Sequence, residues 1–128
     1  MATIFSKIIS EEIPSFKIAE NENFLAFLDT QPLALGHTLV ISKIETDYIF
    51  DMDSEEYSEM WKFAQIVAKK LKAAIECKRI GVAVIGLEVS HAHIHLVPIC
   101  NVNDINFAAP KLNVSMETLK EIALKINS

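Results

Sequence analysis

At 128 residues, with 51% apolar and 23% charged content, the chain has the bulk of one compact domain with its own core, residues 1–128. Its formal charge of −5 excludes sequence-independent binding to a nucleic-acid polymer, which needs a basic surface, but leaves room for a single nucleotide in a small pocket. Two separated cysteines, Cys77 and Cys100, announce neither a disulfide framework nor a Cys-x-x-Cys site, and the opening Met1–Lys7 has no leader-like pattern; with no bilayer-length apolar run, the expectation is a soluble cytoplasmic protein.

Phe5–Ile13 places Phe5, Ile8, Ile9 and Ile13 at spacings of three and four, predicting a short amphipathic helix stopped by Pro14. Lys17–Ala19 and Phe24–Leu28 predict two strands with Asn21-Glu22-Asn23 as the turn. Asp29-Thr30-Gln31-Pro32 predicts a loop, and Thr38–Ser42, entered through Gly36 and His37, a third strand. The longest helix is expected to start near Asp53, with Glu56 completing a capping-box-like pair. Its stripe runs from Tyr57 through Met60, Trp61, Ala64, Val67, Ala68 and Leu71 to Ile75. Phe63 widens the stripe and Ile66 falls outside it, which suggests a second apolar side for a subunit contact.

Arg79–Ile85 reads as a buried strand, and Gly86–Val89 as a short connection into Ser90–Pro98. Asn101–Pro110 reads as polar loop, and Ser115 as the cap of a last helix with Leu119, Ile122, Ala123 and Ile126. Five strand-like runs without regular βαβ alternation predict an α+β domain: an antiparallel sheet, one long helix and shorter terminal helices.

The stretch Ser90–Pro98 concentrates three of the four histidines. His91, His93 and His95 alternate with Ala92, Ile94 and Leu96, so an extended strand shows the imidazoles on one face and buries the apolar residues behind. Three readings are compatible. Two histidines at i and i+2 can chelate zinc, although the first and third lie roughly 13 Å apart along a strand. Satisfied core histidines are the structural alternative. In the third, an imidazole attacks an electrophile while its neighbours fix its tautomer and handle protons.

His-Ala-His-Ile-His-Leu-Val resembles the motif of the histidine triad (HIT) family of nucleotide hydrolases and transferases. The resemblance extends upstream through Ile4-Phe5-Ser6-Lys7-Ile8-Ile9 and Ile13-Pro14, through Phe24–Asp29, and through Pro32 with Gly36–Ile41. It implies a HIT-like fold and a reaction at the α-phosphate of a purine nucleotide, such as a nucleoside phosphoramidate. By resemblance, His93 is the nucleophile forming a nucleotidyl-histidine, and His95 supports proton transfer near the leaving group. His91 and His37 hold the catalytic ring through a hydrogen-bond relay. Asp29 accepts from the ribose hydroxyls, and Phe5, Ile8, Phe27 and Leu39 wall the base. The scheme needs no metal or other cofactor, and family members form homodimers that join their sheets and pack the long helices across a two-fold axis.

The chain also departs from the family pattern. Thr3-Ile4-Phe5-Ser6 stands where many relatives carry a Cys-x-x-Cys, so that zinc site is expected to be absent. Val84-Ile85-Gly86-Leu87-Glu88-Val89 replaces an Asn- and Gly-rich phosphate loop: Gly86 keeps a glycine position, and Glu88 falls where a phosphate donor is expected. A carboxylate there repels phosphate. Two alternatives follow, a nucleotide-binding regulatory protein with little turnover and a dinucleoside polyphosphate hydrolase.

Overall fold

The computed structural model describes residues 3–128; Met1 and Ala2, the start of the stretch read for a leader, lie outside the described residues. Helix α1 spans Ile4–Ile9, where Thr3 caps the free N–H of Ser6 and the Ser6 hydroxyl answers to the Thr3 backbone. It ends at Ile9 rather than Ile13. Glu11 takes a left-handed φ of 66° and turns the chain before Pro14 can continue the helix.

Strands β1 (Lys17–Glu20), β2 (Phe24–Leu28), β3 (Thr38–Ser42), β4 (Arg79–Ala83) and β5 (His93–Ile99) form one antiparallel sheet in the order β1-β2-β3-β5-β4. The Asn21 side chain accepts from the Asn23 and Phe24 N–H groups at 2.9 and 2.8 Å, closing the first hairpin as its composition predicts. Helix α2 (Ser54–Ala74) and helix α3 (Met116–Asn127) cover one face, on which Phe24, Ala26, Leu28, Val40, Ile94 and Leu96 are buried. Leu25, Phe27, Leu39 and Ile41 face the other way, beneath α1. This two-sided burial explains why β2 is apolar throughout and why Leu39, Val40 and Ile41 follow one another in β3 without polar alternation.

Three expectations are corrected along α2 and β4. Asp53 caps α2 through the Glu55 N–H, but Glu56 does not close a capping box because its carboxylate accepts from the Ser42 hydroxyl. Phe63 is not available to a second subunit: its ring packs 5.8 Å from that of Phe24 inside the core, whereas Ile66 remains exposed. The run Arg79–Ile85 is not a buried strand. β4 ends at Ala83, and with β5 as its single neighbour it forms the sheet edge, leaving Val82 exposed.

Candidate active site

The pleat does at β5 what the alternation predicts. His93 and His95 lie in register with Ile41 and Leu39 of β3, on the α1 face, while Ile94 and Leu96 enter the core opposite. His91 precedes the strand rather than belonging to it. Its carbonyl is taken by the His93 ring, and the Ala92 N–H is drawn to the Thr46 carbonyl, so neither joins the ladder. The connection from β4 is correspondingly longer than Gly86–Val89.

Each imidazole has a partner that fixes its tautomer. His93 Nδ1 lies 2.7 Å from the His91 carbonyl oxygen. A carbonyl only accepts, so Nδ1 carries the proton and Nε2 keeps a lone pair. The Leu33 N–H donates to His37 Nδ1 at 3.0 Å, which puts the His37 proton on Nε2. That nitrogen in turn donates to His95 Nδ1 at 3.0 Å, leaving the His95 proton on its own Nε2. His91 donates through Nε2 to the Ser42 carbonyl at 2.7 Å, and its Nδ1 meets the Thr3 hydroxyl at 3.1 Å. The outcome is one ring with a free lone pair beside one with a free N–H, their centroids 4.8 Å apart.

His37 therefore bonds to His95 and not to His93, and His91 holds the His93 ring through its backbone carbonyl rather than its own ring. Exposure separates the roles further. His91 and His37 are 0% and 1% exposed, whereas His93 and His95 keep 6% and 9%, so only the latter two can touch a ligand without rearrangement.

Burial also disfavours the charged forms of His37, His93 and His95. It pushes His95 down to about 3, helped by His93, His37 and Lys111, and His37 down to about 4, helped by Lys111 and His93. Burial lowers His93 too, opposed by its bond to the His91 carbonyl and by the Glu88 charge.

Gly36 makes the entry of His37 possible. Its φ of +93° is left-handed, and a Cβ there would meet Ile75 at 3.1 Å and Pro98 at 3.2 Å. Asp29 follows β2 directly, with its N–H on the His37 carbonyl at 2.9 Å. One carboxylate oxygen accepts the Gln31 N–H at 2.9 Å, and the other stands 3.7 Å from His37 Nε2. Burial raises the Asp29 carboxyl above its ordinary range, against the pull of Gln31 and Lys111.

Phe5, Ile8, Phe27 and Leu39 come together as expected, in one buried cluster. The Phe5 ring stands edge-on to His93 at 4.9 Å and to His91 at 5.7 Å. Gly86, with φ +73° and open space around its Cα, and the exposed Glu88 lie in the loop between β4 and β5. Glu88 is near enough to raise both His93 and Asp29.

Residues that motif reading missed complete the arrangement. Leu33, Ser42 and Thr3 act through a backbone N–H, a backbone carbonyl and a capping hydroxyl, the first two of which leave no trace in residue type. Phe107 reaches the site from the segment that reads as polar loop, and Lys111 from just beyond its end.

Asp29, His37 and His95 each offer a ligand atom within 4.8 Å of the others. Their chemistry does not suit a cation: the Leu33 N–H fills the His37 Nδ1 lone pair, so Nε2 must keep its proton.

The family model described as "HIT domain" matches residues 10–102. An uncharacterized HIT-like protein of Borreliella burgdorferi is 34% identical, over 97% of this chain and 95% of that protein. The adenosine 5′-monophosphoramidase hnt1 of Schizosaccharomyces pombe is 30% identical, over 100% of this chain and 98% of its own. A solved Hit-like protein of Bartonella henselae, described as involved in cell-cycle regulation, superposes with a TM-score of 0.84 at 33% identity, covering 98% of this chain and 94% of that one.

Proposed function

The chain belongs to the HIT family, whose members bind nucleotides and are typically hydrolases, and on that premise we propose that it hydrolyses a purine nucleoside 5′-phosphoramidate through a nucleotidyl-histidine. The observation that carries this reading is the 2.7 Å contact between His93 Nδ1 and the His91 carbonyl. It aims an unprotonated Nε2 away from the backbone while the adjacent His95 offers an N–H.

His93 Nε2 attacks the α-phosphorus as the bond to the leaving amine breaks. The His95 Nε2–H donates to the charge that develops on the phosphoryl oxygens and to the departing amine. Water then attacks the phosphorus, and the P–N bond to His93 breaks. Summed over both steps, water supplies the hydroxyl that the nucleotide keeps and the proton that the amine carries away. Asp29 holds the ribose hydroxyls, and Phe5, Ile8, Phe27 and Leu39 flank the base. The similarity to a named adenosine 5′-monophosphoramidase supports this substrate class.

The test is AMP release from adenosine 5′-phosphoramidate by wild type, His93→Ala and Glu88→Ser. Release by wild type that falls at least about a thousandfold in His93→Ala, or roughly 4 kcal/mol, supports the reading. The rebuilt Val84–Val89 loop, with Glu88 in place of a phosphate donor, favours a second reading, nucleotide binding with little turnover. Equal AMP binding by wild type and His93→Ala, with no turnover in either, establishes that alternative. Preferred cleavage of a dinucleoside polyphosphate assigns the sister activity instead.

We also propose a cytoplasmic homodimer joined at the β4 edge. Val82 on β4 and Ile85 just beyond its end are both exposed. No helix of the described residues is long and apolar enough to cross a membrane.

A further inference from the structure

We propose that Phe107 is a positioning residue of the active site, closing the outer side of the His37–His95 pair and holding the His95 ring in its relay geometry. The proposal rests on the hydrolase reading above for its catalytic consequence, though not for its physical content.

The Phe107 ring stands edge-on to His95, with centroids 4.7 Å apart and planes at 68°, and to His37 at 6.2 Å and 83°. It belongs to neither apolar cluster of the fold. A half-buried phenylalanine whose aromatic neighbours are the two relay histidines, and not the core, is placed for the site rather than for stability. Such edge contacts are favourable in themselves. Their greater effect here is to exclude water from an imidazole pair.

The segment around Phe107 is built to present it. The Asn106 side chain accepts the Ala108 N–H at 3.0 Å, and its carbonyl accepts the Ala109 N–H at 3.1 Å, forming a tight turn. The Phe107 carbonyl accepts from Lys111 Nζ at 2.9 Å, which holds the ammonium 5.6 Å from the ring centroid. The Leu112 N–H then donates to the Pro32 carbonyl at 2.9 Å. Pro32 immediately precedes Leu33, whose N–H orients His37. One stretch of chain thus braces both ends of the relay, the loop that orients His37 and the outer face of His95.

The titratable and charged groups around His95 come from every neighbouring element. They are His93 on β5, His37 at the entry to β3, Asp29 at the end of β2 and Lys111 on the C-terminal segment, with Glu88 acting on His93 from the β4–β5 loop. Burial is the leading reason that His95 stays neutral, and Lys111 the last of the four. Removing the Phe107 ring lets water reach His95, so protonation at Nδ1 becomes possible and competes with the bond from His37.

The experiment is a pH titration of the full-length protein labelled with 15N at histidine, following the His95 ring nitrogens, with kcat and KM measured alongside. Wild type is expected to keep the His95 Nε2–H tautomer down to about pH 5, whereas Phe107→Ala shows imidazolium there, an upward shift of at least about two units. Phe107→Leu, which keeps the site dry, restores the wild-type titration. With adenosine 5′-phosphoramidate, Phe107→Ala is expected to lose about tenfold in kcat at little change in KM, and to gain an acid limb that Phe107→Leu lacks.

A folded Phe107→Ala protein with an unchanged His95 titration overturns the proposal. So does Lys111→Met reproducing the whole shift, because charge and not the ring would then be responsible. Phe107→Gln, which wets the contact while keeping chain bulk, gives the same readout if the alanine variant does not fold. The titration needs no turnover. A wild type without phosphoramidase activity therefore defeats the functional reading while leaving this one to its own result.

Discussion

His93 Nδ1 meets the carbonyl oxygen of His91, two residues earlier in the chain, at 2.7 Å. The partner is backbone, so His91 frames the His93 ring through its carbonyl and not through its own imidazole. His91→Ala keeps the carbonyl but loses the bonds to Ser42 and Thr3 that seat it. His91→Ala is expected to lower kcat by about tenfold, against at least about a thousandfold for His93→Ala. Equal losses in the two variants would place the His91 ring in direct contact with the reaction.

In the proposed hydrolase His37 acts through His95 Nδ1, which its Nε2 meets at 3.0 Å. Substituting His37→Leu leaves the half-buried Leu33 N–H without its acceptor, at a cost of about 1 kcal/mol in stability. It also releases the His95 tautomer. Turnover is expected to fall by about ten- to a hundredfold with KM nearly unchanged. A KM effect without a kcat effect would refute the relay.

Acid stability follows from the buried neutral rings. The unfolded chain binds protons on His37 and His95 near 6.5, but the folded protein resists until about 4 and about 3. The unfolded state therefore gains protons first, and stability present above 6.5 is lost as pH falls toward those values. The slope is at most about 1.4 kcal/mol per pH unit for each histidine. Asp29, held above its ordinary range, takes up its proton first in the folded state and offsets part of this loss. Urea midpoints are expected to drop between about pH 7.5 and 5, and to drop less in His37→Gln. A variant as acid-sensitive as wild type would assign the effect elsewhere.

Asp29 has one oxygen committed to the Gln31 N–H and one turned toward His37 Nε2. If the carboxylate takes the ribose hydroxyls, wild type should bind AMP about tenfold more tightly than its 2′,3′-dideoxy analogue, and Asp29→Asn should lose most of that difference. Calorimetry with the two ligands decides it. The same preference in both proteins would leave Asp29 as a loop residue.

The exposed Val82 sits on the open edge of β4. A charge there, Val82→Lys, is expected to convert a dimer into a monomer at micromolar concentration, read by light scattering. A wild-type monomer under the same conditions defeats the dimer directly.

The sequence by itself determined the local features of this protein. Alternation at His93–Leu96 sorts imidazoles from core residues because a strand repeats every two residues, and the Asp53 cap and the apolar stripe of α2 are likewise local. The tertiary structure decided what depends on neighbours distant in the chain. Arg79–Ile85 reads as a buried strand, yet the strand order makes β4 an edge, which no residue within it records. Phe63 looks spare on the helical stripe until Phe24 arrives from β2. The tautomers of the site rest on Leu33 N–H and on the His91 and Ser42 carbonyls, groups that nearly every residue carries. Phe107 reaches His95 because the segment after β5 turns back over the sheet and fastens to Pro32. Side-chain pattern is written in residue type, whereas backbone partnership is written only in the fold.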